Sequence, residues 1–255
     1  LNMEGPFISP SKVGAQNPAY VQEPNVEMFM RLQERAHGLV KLVDIAPEEP
    51  GALEFIKAVK GCTRVSLAHM CATYDDAMAA FDAGARQLTH LYNAMPGLAH
   101  RAPGPIAAAA DCEDVLAEII ADGVHIHPSM VRLAFKIFGA ERMLLISDTM
   151  EAAGMPDGEY ALGGQAVTVR GNLATLHDGT IAGSVTNLAL CVKTAVTKME
   201  IPLADALRAA TLNPALAMGV ADERGSISAG KVADCVILDP ETVAVERVIL
   251  RGREL

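Results

Sequence analysis

Residues 64–96 read RVSLAHMCATYDDAMAAFDAGARQLTHLYNAMP. The stretch opens on an apolar, β-branched run, Arg64 to His69, and ends near a second, Gln87 to Leu91. Between them Thr73 and Asp76 form a helix cap ahead of Ala77 to Phe81, and Gly84 supplies the residue that closes the helix. Strand, helix and strand in this order make a βαβ unit, and repeated units of this kind build a parallel sheet. Outward from it the alternation recurs. Leu1 to Met3, Leu39 to Ile45, Val115 to Ala121 and Met143 to Ser147 read as further strands, and Gly38 and Gly139 close two more helices. The pattern predicts an α/β fold, a (β/α)8 TIM-like barrel, with about six of its eight strands in this chain and the first two absent.

After residue 150 the pattern changes. From Gly158 to Asp178 short alternating segments are separated by Gly163-Gly164, Gly171-Asn172 and Asp178-Gly179, the signature of a β-hairpin insertion. Amphipathic helices are expected over Val185 to Met199 and Leu203 to Thr211, and Asn213 is read as the cap of a short helix starting at Pro214. Val232 to Leu238 and Val243 to Arg251 return to strands. The expected organisation is a barrel domain over 1–220, N-terminally incomplete and carrying the insertion near 158–178, followed by residues 221–255 as the C-terminal part of a small β domain.

Composition narrows the function. The chain has 255 residues, 51% of them hydrophobic, enough for a large core. No apolar run approaches the roughly 20 positions that span a bilayer. The formal net charge of −10 disfavours nucleic acid and anionic lipid, so no nucleic-acid or membrane partner is expected. Cys62, Cys71, Cys112, Cys191 and Cys235 are odd in number, widely spaced and lack a C-x-x-C pair, which fits reduced thiols in the cytoplasm. Residue 1 is Leu and no secretory leader follows, so the natural start is expected to lie upstream.

In βα barrels the chemistry sits at the C-terminal ends of strands. Here those ends carry Glu4, His69, His90, the pair His125 and His127, and Asp148. One histidine at a strand end is ordinarily a hydrogen-bonded structural residue. Five successive polar ends are a pattern. A Glu and two His converging on one rim offer oxygen and imidazole ligands for Zn²⁺ or another first-row divalent ion, and an Asp remains for proton transfer. The rim of the barrel therefore reads as a metal site. His37 and His177 fall at a helix end and in a turn, as surface residues. A second polar cluster runs from Thr89 to Pro96 and on through His100-Arg101. Backbone N–H groups after Asn93 and the Arg101 guanidinium could hold a phosphate, and an ordinary surface Arg101 is the alternative. Gly183-Ser184, ahead of the Val185 helix, is either a second anion site or a plain cap.

Met3-Glu4-Gly5-Pro6-Phe7, Thr89-His90-Leu91-Tyr92-Asn93-Ala94-Met95-Pro96, Ala121-Asp122-Gly123-Val124-His125 and Ser147-Asp148 resemble, in order and spacing, successive motifs of the N-acetylglucosamine-6-phosphate deacetylases. The segment Gly225 to Asp234 resembles a C-terminal signature of the wider amidohydrolases. The resemblance runs along essentially the whole chain. It implies hydrolysis of the acetamide of N-acetylglucosamine 6-phosphate to glucosamine 6-phosphate and acetate. It further implies a divalent metal on Glu4, His69 and His90, zinc or iron, with one ion or two left open, and Asp148 as the catalytic acid and base. Asn93, Ala94 and His125 would contact the phosphosugar, and Arg101 would reach the neighbouring site of a homodimer. This chain departs from the family at Met70-Cys71, where a small polar residue more often follows the histidine. An amidohydrolase acting on a cyclic amide or a nucleobase is the competing reading, because the same ligands and Asp148 would serve it.

Overall fold

The computed structural model describes residues 1–255. In chain order the first elements are β1 (Asn2–Met3), α1 (Val26–Arg35), β2 (Leu42–Ile45), α2 (Ala52–Val59), β3 (Arg64–Leu67), α3 (Tyr74–Ala83), β4 (Gln87–Leu88), α4 (Gly104–Asp111), β5 (Leu116–Ile120), α5 (Pro128–Phe138) and β6 (Met143–Ile146). There follow β7 (Gly158–Leu162), β8 (Gln165–Arg170), β9 (Leu173–Thr175), α6 (Leu188–Thr197), α7 (Leu203–Ala210), α8 (Leu212–Ala217), β10 (Cys235–Leu238), β11 (Val245–Leu250) and β12 (Arg253–Glu254). The six expected βα strands form one sheet in the order β1-β2-β3-β4-β5-β6. The pairs from β1 to β5 are parallel. Every strand is shorter than its apolar run.

The chain forms two compact units, residues 1–118 with 150–185 and residues 119–149 with 186–255. In the first unit, Asp44, Ser66 and Gln87 stand opposite one another across β2, β3 and β4 and so share one face of the pleat. The intervening Val43, Val65 and Leu67 are buried and apolar. Behind the strands Phe55 of α2 stacks on Phe7 at 5.0 Å and on Phe29 of α1 at 5.6 Å. All three rings are fully buried, and Phe7 lies three residues beyond Glu4, so this aromatic core anchors the loop after β1. The capping box on α3 forms as read: Thr73 accepts from the Asp76 N–H and Asp76 accepts from the Thr73 N–H. Gly84 and Gly139 end α3 and α5.

The insertion is larger than the expected hairpin. Strands β7, β8 and β9 make a three-stranded antiparallel sheet, with Gly163-Gly164 and Gly171-Asn172 at its two turns. The tail forms a second antiparallel sheet, β10-β11-β12. No helix is long and apolar enough to cross a membrane.

Two readings at helix starts are corrected by the second unit. Helix α6 begins at Leu188 under an Asn187 cap, so Gly183-Ser184 lies outside its first turn and has no helix N-terminus to offer an anion. Asn213 lies inside α8 rather than at its cap. It is 1% exposed and its amide donates to the Ala140 carbonyl at 2.7 Å and the Met143 carbonyl at 2.8 Å, joining α8 to the start of β6. A buried polar group that loses its partner costs about 1–3 kcal/mol. Asn213→Ala, which removes the donor to both carbonyls, is expected to lower unfolding stability by about 2–4 kcal/mol in a urea titration. A loss under about 0.5 kcal/mol would show that the two bonds are dispensable.

Candidate metal centre

Each candidate metal ligand, and Asp148 with them, stands just past a short strand, where the chain leaves the ladder. His69, His90 and Asp148 each lie two residues beyond their strands, with φ of 45°, 33° and 48°. Non-glycine residues rarely adopt this left-handed conformation, which costs about 1–3 kcal/mol unless the surroundings enforce it. Here neighbours do. The His69 carbonyl accepts from the Ser9 N–H at 2.9 Å, the His90 carbonyl from the Asn93 N–H at 2.9 Å, and the Leu91 N–H donates to the Glu118 carbonyl at 2.7 Å. Glu4 follows β1 directly, and Gly5 after it has φ 82°. That φ favours glycine, and a Cβ there would come within 2.5 Å of Gln16 Oε1 and displace the side chain that reaches Glu4.

These turns bring three side chains together. His69 Nε2 lies 2.9 Å from Glu4 Oε1, His90 Nε2 lies 3.4 Å from the same oxygen, and the two Nε2 atoms are 3.1 Å apart. His69 Nδ1 is 2.7 Å from the Lys12 carbonyl, which can only accept, so Nδ1 carries the proton. In the neutral ring Nε2 is then a lone pair, aimed at a carboxylate oxygen and another imidazole nitrogen. Such an arrangement is repulsive unless a proton or a metal ion lies among the three atoms. Ligands around a tetrahedral ion with bonds near 2.1 Å stand about 3.4 Å apart, so the spacing suits one. Two imidazoles and a carboxylate fit zinc or iron. Without a metal the carboxyl of Glu4 is governed by opposing effects: burial raises it, and hydrogen bonds from His69 and His90, whose Nε2 atoms then carry the protons that a metal would displace, overcome that and hold it far below the usual range. It is ionised and ready to ligate.

Sequence reading missed the surroundings of this cluster. Gln16 donates to Glu4 Oε1 at 3.4 Å, and Gly14, with φ 58°, passes so close to the His69 ring that an added Cβ would meet Cε1 at 3.1 Å. On the polar face of the sheet Thr89 donates to Asp44 at 2.8 Å and pairs with Ser66 at 2.6 Å, while Gln87 donates to Glu118 and accepts from Arg64 at 2.7 Å. Burial, then the charges of Glu4 and Glu118, push the Asp44 carboxyl well above the usual range. Burial likewise raises Glu118, to about 7. The only sign of this network in the sequence is a polar residue inside each apolar run. The partner on His69 is a backbone carbonyl, which leaves no mark in a sequence at all.

Asn93 and Ala94 follow His90 directly. The Asn93 amide donates within its own loop, to the His90 carbonyl at 3.2 Å and the Leu91 carbonyl at 3.4 Å. Ala94 has φ 49°, and its carbonyl accepts from the Met70 N–H at 3.0 Å. Met70, the departure from the family pattern, is fully buried. Arg101 is exposed, with only the ring of His100 at 2.7 Å as a side-chain partner. His37 and His177 are exposed, as read.

Asp148 and His125 belong to the second unit. Asp148, half-buried, follows β6. His125 Nδ1 lies 2.7 Å from Asp122 Oδ2, and Asp122 Oδ1 accepts from the Val124 and His125 N–H groups at 2.9 and 3.0 Å. Burial would raise Asp122, but these bonds outweigh it and hold the carboxyl below its usual range. Asp122 therefore fixes the tautomer of His125 with its proton on Nδ1. His127, by contrast, caps α5, its Nδ1 accepting from the Ser129 N–H at 3.3 Å.

A family model described as the amidohydrolase family matches residues 1–255. The N-acetylglucosamine-6-phosphate deacetylase of Bacillus subtilis (strain 168) is 39% identical over 253 residues, covering 99% of this chain and 64% of that protein. The N-acetylgalactosamine-6-phosphate deacetylase of Escherichia coli O157:H7 is 37% identical, covering 98% and 66%. The chain thus spans about two thirds of the length of these curated relatives. Among solved structures, the N-acetyl-D-glucosamine-6-phosphate deacetylase of Mycobacterium smegmatis matches with a TM-score of 0.94 at 37% identity, covering 99% of this chain and 67% of that one. It was solved as an aspartate-to-alanine variant in complex with N-acetyl-D-glucosamine-6-phosphate.

The buried Glu118 makes stability depend on pH. Its folded value, about 7, lies above the ordinary 4.5, so its contribution is complete below about 4.5 and is lost as pH rises through about 7. For the metal-free protein the loss approaches about 3 kcal/mol. Glu118→Gln keeps an acceptor for Gln87 and cannot ionise. It is expected to match the wild type near pH 4.5 and to exceed it in denaturant unfolding near pH 8. Parallel stability curves for the two proteins would show that Glu118 does not ionise at a cost.

Proposed function

We propose a specific reaction for this chain, which belongs to the amidohydrolase family: within the whole protein it hydrolyses the acetamide of N-acetylglucosamine 6-phosphate to glucosamine 6-phosphate and acetate. One observation carries the reading, the convergence of lone pairs from Glu4, His69 and His90 on one point. It is supported by relatives at 34–39% identity that bear this activity in their names. A divalent ion held by these three residues, zinc first and iron as the alternative, supplies a Lewis acid and makes water a nucleophile near neutral pH.

The chain's own residues do the rest. Asp148 accepts a proton from the attacking water and returns it to the departing amine nitrogen, so that water is consumed and amine and acetate leave. His125, with Nδ1 committed to Asp122, has Nε2 left for the substrate. Asn93 and Ala94 bind the sugar phosphate through their loop. Remote binding of this kind orients the acetamide for attack. Arg101 is exposed and paired with no carboxylate, which suits the further proposal that it completes the site of the second subunit of a homodimer. A cyclic amide or nucleobase would give that guanidinium no partner. All five cysteines are free thiols, in keeping with a cytoplasmic protein. In the whole protein, residues 1–220 would be the barrel and 221–255 part of the small β domain.

The test is acetate release by the whole protein from N-acetylglucosamine 6-phosphate, its galacto epimer and unphosphorylated N-acetylglucosamine, before and after chelation and metal return. Turnover is expected to be highest on the gluco phosphate, lost on chelation and restored by zinc. Asp148→Asn is expected to lower kcat by about 10²–10⁴-fold with metal content unchanged. No acetate from any sugar by folded, metal-replete protein would end this assignment.

A further inference from the structure

The loop after β1 is held on both sides. Toward the metal centre, the Lys12 carbonyl takes the Nδ1 proton of His69 at 2.7 Å, Gly14 lies against that ring, and Gln16 reaches Glu4. A tight turn joins these contacts, closed by the Gln16 N–H on the Val13 carbonyl at 3.0 Å. On the far side, the same turn is gripped by the inserted sheet. Ala15 is 8% exposed and packs into the apolar cluster of Met150, Val167, Val169, Ala174 and Ala182. Gln165, the first residue of β8, donates from Nε2 to the Ala15 carbonyl at 2.7 Å. The Asn17 amide meets the Gly163 carbonyl at 3.4 Å.

We propose that Gln165 is a positioning residue for the metal centre: by holding the Ala15 carbonyl it keeps the turn from Lys12 to Gln16 seated on His69 and Glu4. Its amide bonds the Ala15 carbonyl rather than a metal ligand, so it acts through the backbone. The physical case is one of leverage over a short span. The proton on His69 Nδ1 fixes which nitrogen faces the metal, and its acceptor is a main-chain carbonyl whose position depends on where the turn sits. Packing of Ala15, with one methyl group, sets depth but not rotation, and the directed bond from Gln165 supplies the second constraint. The inserted sheet is then part of the hydrolytic site rather than an ornament on the barrel.

The inference rests on Glu4, His69 and His90 being the metal ligands, so the experiment measures metal binding directly. In the whole protein, Gln165→Met keeps the side chain's length and removes its N–H groups, and Gln165→Ala removes the side chain. Zinc affinity is read by competition with a chromophoric chelator, and the geometry of the site by the visible absorption of the Co²⁺-substituted protein. Both variants are expected to bind zinc about tenfold more weakly and to change the intensity of the cobalt bands. Val167→Ala, which thins the core of the same sheet and keeps the Gln165 bond, is expected to lower the thermal midpoint with wild-type zinc affinity. If wild-type protein binds no zinc, the ligand assignment itself fails. Should the wild type bind and both Gln165 variants match it, the positioning role is overturned; it is equally overturned if Val167→Ala weakens zinc as much as Gln165→Met.

Discussion

Three electron pairs aimed at one point, on Glu4, His69 and His90, are the constraint from which the rest of the first unit follows. They come from β1, β3 and β4, and β2 lies between the first two. That intervening strand contributes Asp44, fully buried, and β5, on the other side of β4, contributes the buried Glu118. With both ionised, the interior would hold three carboxylates and almost no water to screen them. Burial instead raises Asp44 and Glu118, while the imidazoles keep Glu4 low. Glu4 is thus the acid held in the charged form that a cation requires, while Asp44 and Glu118 are pushed toward the neutral form and serve as hydrogen-bond partners that fix Thr89 and Gln87.

Backbone geometry follows from the same demand. A strand carries its side chains straight up and down from the sheet, whereas a ligand at a barrel rim has to turn inward over the strand's end. A left-handed residue achieves that within one position. His69, His90 and Asp148 all use it, and the strands stop short so that each can do so. Part of the strain is offset by hydrogen bonds that single out these peptide groups, such as Ser9 to His69 and Asn93 to His90.

What could be read from the sequence, and what could not, divides along these lines. Short apolar runs separated by capped helices disclose a parallel sheet, and the six strands occur where their runs place them. Glu4, His69 and His90 were legible because each interrupts an apolar run at its end. Asn213 misled because Asn before Pro is a cap signal, and here its amide was needed by two carbonyls of the β6 region instead. Gly183-Ser184 misled because the apolar pattern begins several residues before the helix does. The third strand of the insertion escaped notice because Leu173–Thr175 is too short to show a period. Lys12, Ala15 and Gln165 were invisible, since two of them act through carbonyl oxygens that every residue has, and the third lies 150 positions from the group it holds.

Proximity in sequence ties metal and phosphate binding together. His90, Asn93 and Ala94 fall within one short loop, and the Ala94 carbonyl accepts from Met70, the residue after His69. The loop proposed for the sugar phosphate is therefore bonded to the backbone at both imidazole ligands. A phosphate drawn onto the Ala94 N–H would tighten this loop at the very peptides that aim His69 and His90. Binding energy from the distant end of the sugar would then be spent on the geometry of the reacting end, where it raises turnover rather than affinity. On this view the buried Met70 has its own logic. Its side chain is fully buried and its N–H makes the bond to the Ala94 carbonyl, so an apolar residue there keeps the link between the two loops dry and that hydrogen bond strong.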